Sequence, residues 1–235
     1  MVLIGSTDFY IGVKSLPKRQ FEDYSAHLFD EWQFYVDREL QLPDYSLSLV
    51  VEEGSIKAVG RIATTLGVLY IGIGQYGSFI SGLQIIHEQV RTVGGYLAER
   101  AGAPFQSSKA KPRVRRNGES LARLQTLFVK VQRGELSINE AMIESERIFG
   151  FELNDAVKFK NELKQSFEQA PLLPKQLYLP LVDVEGEEIY LRDAPRKPRT
   201  PPPRLPVPAP ASDLYRIEIK RESRRGKKDI RVVSL

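Results

Sequence analysis

The sequence predicts an α+β fold: a small N-terminal sheet with a glycine-rich helical hairpin, a central helical segment and C-terminal β-hairpins. Three observations support this prediction. Short stretches near both ends of the chain alternate apolar and polar residues, which is typical of half-buried strands. Apolar residues at helical spacing run through the middle of the chain. An uncharged run with five glycines, residues 62–86, lies between the first strands and the helical middle.

Residues 1–100 form the predicted N-terminal α+β unit. Val2–Val13 has the composition of a strand. Apolar residues then recur at helical spacing over residues 21–40, and Pro43 ends that element. Residues 45–51 alternate apolar side chains with serine, so they predict a second, half-buried strand.

The glycine-rich run has three interpretations. The first is a buried helical hairpin, because residues 55–100 have a helix-compatible pattern that is too long for one ordinary helix; its break is expected within Gly72–Gly82. The second is a membrane span, because residues 62–86 exceed the roughly 20 residues that cross a bilayer, although polar residues interrupt them. The third is a dinucleotide-binding turn, since residues 72–77 match GxGxxG, but the parallel strand that this motif requires does not follow.

Three small residues of the run are spaced four apart. If the run is helical, Gly74, Ser78 and Gly82 line one face and allow a second helix to approach closely. We expect this face to contact a partner protein or a second copy of the chain.

The middle of the chain is predicted to contain several helices. Residues 101–118 are interpreted as a basic linker, and residues 119–170 as a helical segment. Ser137-x-x-Glu140 has the spacing of a capping box and opens a helix. Asn154 is expected to cap a third helix, which carries Val157, Phe159, Leu163 and Phe167.

The last third of the chain changes character. Residues 176–192 are predicted to form a β-hairpin, and residues 193–212 an extended proline-rich linker with PxxP motifs. Residues 213–235 predict a second hairpin with a basic tip. Because an isolated hairpin is marginally stable in water, this one must dock on a sheet, its own or a partner's.

Positive charge is concentrated in two places, although the net charge is only +4. Residues 101–118 contain five basic and no acidic side chains, and residues 192–235 contain 13 basic and five acidic ones. This pattern fits an anionic partner such as nucleic acid or lipid headgroups, but no aromatic residue is interleaved among the basic side chains of residues 109–116, which favours a solvated linker there. The predicted anion contacts are Lys109, Lys111, Arg113, Arg115, Arg116, Arg224, Arg225, Lys227 and Lys228.

No motif in the sequence names a reaction. The absence of cysteine excludes disulfides, a thiolate zinc site and a cysteine nucleophile. His27 has Asp23 and Glu31 one turn away on either side, which would suit a general base, but ordinary helix surfaces show the same spacing. We therefore expect no enzymatic activity, no cofactor and no metal. The N-terminus lacks the pattern of a secretory signal, so the expected location is cytoplasmic, with membrane association through residues 62–86 as the alternative.

Residues 45–100 carry a resemblance to a known class of domains. Leu47–Ile56, LSLVVEEGSI, followed by an apolar segment of small residues and by Tyr76–Phe79, resembles the core of small effector-associated domains in bacterial conflict and antiviral defence systems. The resemblance implies an accessory or adaptor component that couples a sensor to an effector without catalysis. It implies no catalytic residues.

These observations together predict a non-catalytic accessory or adaptor protein that assembles with partner proteins. Two alternatives remain open at this point. One is a membrane-active effector that inserts residues 62–86, and the other is a nucleic-acid-binding accessory protein that uses the basic loop and tail.

Overall fold

A computed structural model describes residues 1–13, 15–105, 113–117, 119–172 and 214–235. These residues form six strands and seven helices, which confirms the α+β class. The strands are β1 (Val2–Ile11), β2 (Ser46–Glu52), β3 (Ile56–Thr64), β4 (Arg113–Asn117), β5 (Tyr215–Arg221) and β6 (Lys228–Ser234). The helices are α1 (Lys18–Glu39), α2 (Leu66–Gly74), α3 (Phe79–Gly102), α4 (Glu119–Gln132), α5 (Ile138–Phe149), α6 (Glu152–Asp155) and α7 (Val157–Glu168).

All six strands belong to one antiparallel sheet with the order β4-β1-β3-β2-β5-β6. Helices α1, α3 and α4 pack on one face of this sheet. The opposite face carries the outward side chains of the alternating strands. The basic C-terminal hairpin, β5 and β6, docks on β2 of its own sheet.

The prediction of helix from residue 55 onward is wrong, because Ile56–Thr64 is strand β3. Its buried residues alternate with more exposed ones, and Gly60 occupies one of the inward positions. A Cβ added there would lie 2.3 Å from Leu97 Cδ2 of α3. The small side chains at inward positions hide the two-residue period in the sequence.

The interpretation of residues 101–118 as a linker is also wrong in its last part. Residues 113–117 form β4, which pairs antiparallel with β1 and makes one edge of the sheet. Two nearby predicted anion contacts, Lys109 and Lys111, lie outside the described residues. The predicted hairpin of residues 176–192 and the proline-rich linker of residues 193–212 also lie outside them.

The glycine-rich run is divided among three elements. It includes the end of β3, all of α2 and the first turns of α3, and α2 and α3 meet at 108°. The break falls at residues 75–78, inside the predicted interval. Among the described residues no single helix is long and apolar enough to cross a membrane; α2 and α3 meet the length and composition criteria only as this bent pair.

Aromatic side chains join the helical segment to the start of α3. Phe79 has its ring centroid 5.3 Å from that of Phe159 on α7, and Phe128 on α4 lies 4.4 Å from Phe167. Ser137 and Glu140 form the predicted capping box of α5. Asn154 does not cap α7: it lies within α6, and the N-cap position is Ala156, which has no side-chain hydrogen bond.

Candidate functional site

The candidate sites among the described residues are two surfaces and a charged cluster. No group of three or more histidine, aspartate or glutamate side chains within them could hold a metal ion. His27 is exposed, and its Nε2 lies 3.6 Å from Glu31 Oε1. His87 on α3 is half-buried, and burial lowers the pKa of its imidazole.

A charged cluster fixes the C-terminal hairpin to α1. Arg221, the last residue of β5, is 2% exposed and donates two hydrogen bonds to the Asp37 carboxylate, at 2.9 and 2.8 Å. The Tyr45 hydroxyl donates to the same carboxylate, and the Tyr45 ring lies 5.4 Å from the Arg221 guanidinium. The Arg221 guanidinium is therefore buried and paired in charge with the Asp37 carboxylate.

The protonation of this cluster follows from its contacts. Partial burial opposes ionisation of Asp37, but the hydrogen bonds from Arg221 and Tyr45 and the nearby guanidinium charges outweigh it, so the pKa of Asp37 is lowered. Burial, followed by the bond to the Asp37 carboxylate, raises the pKa of Tyr45. The cluster is thus held as one carboxylate, one guanidinium and one neutral phenol, an arrangement suited to fixing a position in the fold.

The four predicted anion contacts at the hairpin tip do not project together, because two of them bind within the fold. Arg224 donates to the backbone oxygens of Leu42 and Asp37, at 3.0 and 2.8 Å. Lys228 pairs with Asp30 on α1, at 2.7 Å. The tip folds back on α1 and the loop after it, because their carboxylates and carbonyls attract these cations. Arg225 and Lys227 remain exposed.

The prediction that Gly74, Ser78 and Gly82 line one helix face is wrong as well, because the chain breaks between them. Gly74 ends α2, and Ser78 is the N-cap of α3, where its Oγ accepts a hydrogen bond from the Ser81 N–H. A Cβ at Gly74 would meet nothing within 4 Å, whereas at Gly82 it would lie 2.4 Å from the Ile73 carbonyl oxygen. Gly82 thus allows a close approach of backbone within the chain.

An apolar groove lies between α2 and the start of α7. Its volume is about 560 Å³. Ile71 of α2 and Val157 of α7 line it and are 57% and 60% exposed, while Phe159 forms its buried base. Asp155 and Lys158 supply the charged groups of the groove.

On the open face of the sheet, Lys57, Arg113 and Arg115 lie near an aromatic ring. Tyr10 of β1 is 38% exposed, and its neighbours across the sheet are Arg113 of β4 and Lys57 of β3. Arg115 lies opposite Asp8 in the next row. Arg116 is paired with Thr7 in the strand register. The aromatic residue that the basic segment lacks in sequence is thus supplied by strand pairing.

Arg221, Asp37 and Ile71 were not singled out from the sequence, for different reasons. Arg221 continues the two-residue alternation of Ile217 and Ile219, so its inward direction was readable from the sequence. Its partner Asp37 lies on α1, far away in the chain, and no sequence pattern indicates that the two residues meet. Ile71 is one of many apolar residues in its run, and only the packing of α2 shows that it stays exposed.

No protein-family model, curated protein or solved structure matches the chain. The resemblance of residues 45–100 to effector-associated domains of bacterial defence systems therefore stays a prediction.

Proposed function

We propose that this protein is a non-catalytic accessory or adaptor protein, and that the groove between α2 and α7 binds an apolar segment of a partner protein. The observation that carries this proposal is the exposure of Ile71 and Val157 on a groove with the buried Phe159 at its base. Exposed apolar surface that forms a connected patch is typical of interaction sites.

The chemistry of the groove defines the partner. Aliphatic walls favour aliphatic or aromatic side chains, and burying them supplies the main driving force for association. Asp155 and Lys158 offer one charge of each sign, which can orient the partner but does not select a strongly charged one. The resemblance to effector-associated domains supports the same role and suggests a defence system as its setting.

Site-specific photo-crosslinking tests this proposal. A photoreactive residue at Ile71 should give one discrete adduct with another protein in the cells that make this chain. The matched control is Ile143 of α5, an isoleucine that is 52% exposed and does not line the groove. Val157→Lys should abolish the Ile71 adduct by placing a charge in the groove. Equal adducts at both positions, or none at Ile71, would contradict the proposal.

A second candidate function, binding of single-stranded nucleic acid, is favoured by the row Arg113, Tyr10 and Lys57. An exposed aromatic ring between two cations can stack on a base while the cations contact the flanking phosphates. These side chains lie on the open face of the sheet, where no helix covers them in the described residues.

A titration of single-stranded oligonucleotide binding at several salt concentrations tests this second candidate. Tyr10→Ala should weaken binding by roughly 1–3 kcal/mol with an unchanged salt slope. Arg113→Ala should instead flatten the slope by about 0.7. Ser48→Ala, elsewhere on the same face, is the control and should change neither. Failure of the wild-type protein to bind at low salt would remove this candidate.

A further inference from the structure

Strand β6 ends the sheet with an edge that no described residue covers. It pairs with β5 on one side only, and all seven of its residues are exposed. Ile230 and Val232 are 44% and 43% exposed, and they lie on the same face as the buried Ile217 and Ile219, with which they pair. The helix-covered side of the sheet thus continues into β6 as an uncovered apolar strip.

The direction of the free backbone groups follows from one hydrogen bond. The Leu235 N–H donates to the Leu214 carbonyl at 2.8 Å, toward β5. In an antiparallel strand alternate residues direct both backbone groups to the same side. Consequently Lys228, Ile230, Val232 and Ser234 direct their N–H and C=O groups away from β5, toward the open edge.

Exposed edge strands usually carry features that prevent pairing, such as proline, bulges or inward charges. β6 contains no proline, and its register with β5 has no shift. Lys228 lies at its beginning and is paired with Asp30. The remaining charges, Asp229 and Arg231, lie on the open face of the sheet and bind each other at 3.0 Å.

We propose that β6 pairs antiparallel with β6 of a second copy of this chain about a two-fold axis, so that one sheet runs through both copies. The second copy is the occupant that the charges favour. With Ile230 opposite Ile230 of the second copy, each Asp229 faces an Arg231 across the interface. Cross-strand pairs of opposite charge stabilise an antiparallel sheet, and like pairs destabilise it.

The neighbouring registers are disfavoured by the same charges. A shift of the pairing centre to residue 231 places Arg231 opposite Arg231, and a shift to residue 229 places Asp229 opposite Asp229. In the favoured register the residues that point outward pair with one another: Ile230 with Ile230, and Lys228 with Val232. Outward residues also pair with outward residues when the centre lies at 229 or 231, so backbone hydrogen bonds allow all three registers and the charges select among them.

An exposed aromatic residue on α1 adds to this surface. Asp30 and Asp37 both bind residues of the C-terminal hairpin, at Lys228 and Arg221. Phe34 lies on the same side of α1 by helical spacing and is 71% exposed. A second copy that extends the sheet places its own Ile230 and Val232 on the side of the hairpin that faces Phe34. This interface is separate from the groove of α2 and α7 and does not depend on it.

Single-cysteine crosslinking tests the register, and the chain is suited to it because it contains no cysteine. Ile230→Cys should give a disulfide-linked dimer on mild oxidation, since directly opposed residues of a hydrogen-bonded pair have Cα atoms about 5.5 Å apart, within disulfide range. The matched control is Val114→Cys on the other edge strand, where the natural valine is 39% exposed. Equal crosslinking of the two variants would overturn the proposal.

Light scattering tests the assembly itself. The wild-type protein should have twice the chain mass of 26.7 kDa. Ile230→Lys should give the single-chain mass and remain folded, because residue 230 is exposed in one copy, and Val114→Lys should leave the dimer intact. A monomeric wild type, or an open series of larger species, would overturn the proposal.

A charge exchange distinguishes the proposed register from non-specific association through the apolar strip. Asp229→Arg places arginine opposite arginine twice and should raise the dimer dissociation constant by roughly tenfold. The double variant Asp229→Arg/Arg231→Asp restores opposite charges and should recover wild-type affinity. Equal weakening in the single and double variants would contradict this register.

The tests of the two interfaces are independent of each other. An absent Ile71 photo-adduct together with an intact dimer would contradict the groove proposal and leave the proposed β6 interface supported.

Discussion

The corner between α2 and α3 and the C-terminal hairpin are attached to the rest of the protein by opposite means. At the corner, Gly82 approaches the backbone of Ile73 so closely that no side chain fits between them. At the hairpin, Arg221 and Arg224 reach α1 and the following loop through directional hydrogen bonds. The first attachment depends on a glycine that lacks a side chain, and the second depends on charged side chains.

The difference reflects how far each segment lies from its neighbour along the chain. The corner joins two consecutive helices, so close packing and a short break are enough to fix its geometry. The hairpin follows residues 173–213 and must find β2 from far away. A single inward arginine opposite a single carboxylate distinguishes the native register from neighbouring ones, since a one-residue slip would turn Arg221 to the open face.

The largest expected effect is at the hairpin. Arg221→Met removes both hydrogen bonds to Asp37 and leaves its carboxylate beside Tyr45 without its cation, so we expect a loss of about 3 kcal/mol in the free energy of unfolding. Urea denaturation measures this loss. Lys220→Met is the control, because Lys220 is exposed on the same strand, and its effect should stay within about 0.5 kcal/mol.

The second expected effect distinguishes the two glycines at the corner. Gly82→Ala places a Cβ 2.4 Å from a backbone oxygen and should cost about 1–3 kcal/mol, since the backbone must shift. Gly74→Ala meets open space at the end of α2 and should be neutral or stabilising by up to about 1 kcal/mol. Thermal unfolding of both variants tests the comparison. A larger loss at Gly74 would restore the idea of a shared glycine face.

A smaller, graded effect should appear with pH. The pKa of Asp37 is lowered below its ordinary value of 3.8, so the folded state holds the carboxylate more strongly charged than the unfolded state does. Its contribution to stability is therefore present above that ordinary value and is lost as the pH falls through the lower, folded-state pKa. Denaturation curves of wild type and Asp37→Asn should differ most above pH 4 and converge in acid. A constant difference would assign the effect to packing.

The smallest effect is expected at the tip of the hairpin. Arg225 and Lys227 are exposed, so replacing both with alanine should change the free energy of unfolding by less than about 0.5 kcal/mol. Arg224→Ala, only one residue away, should cost clearly more, because it leaves the Leu42 and Asp37 carbonyl oxygens without their donor. Equal effects in chemical denaturation would show that the tip does not dock as described.

Local signals in the sequence predicted local structure well. The alternation in residues 45–51 and the capping box at Ser137 each depend on neighbours within a few residues, and both are found in the structure. Residues 56–64 were misread because glycine and alanine at inward positions give little hydrophobic contrast. Residues 113–117 were misread because five residues rich in arginine do not suggest a strand until β1 pairs with them.

By itself, the sequence determined the α+β class, the break in the glycine-rich run and the inward side of the C-terminal hairpin. Each follows from periodicity or backbone preference within one segment. Only the tertiary structure decided that Arg221 meets Asp37, that Gly82 packs on Ile73 and that Ile71 remains exposed in a groove. These are properties of pairs of distant segments. The free energy of such a contact depends on the position of both partners, and no single stretch of the chain specifies that position.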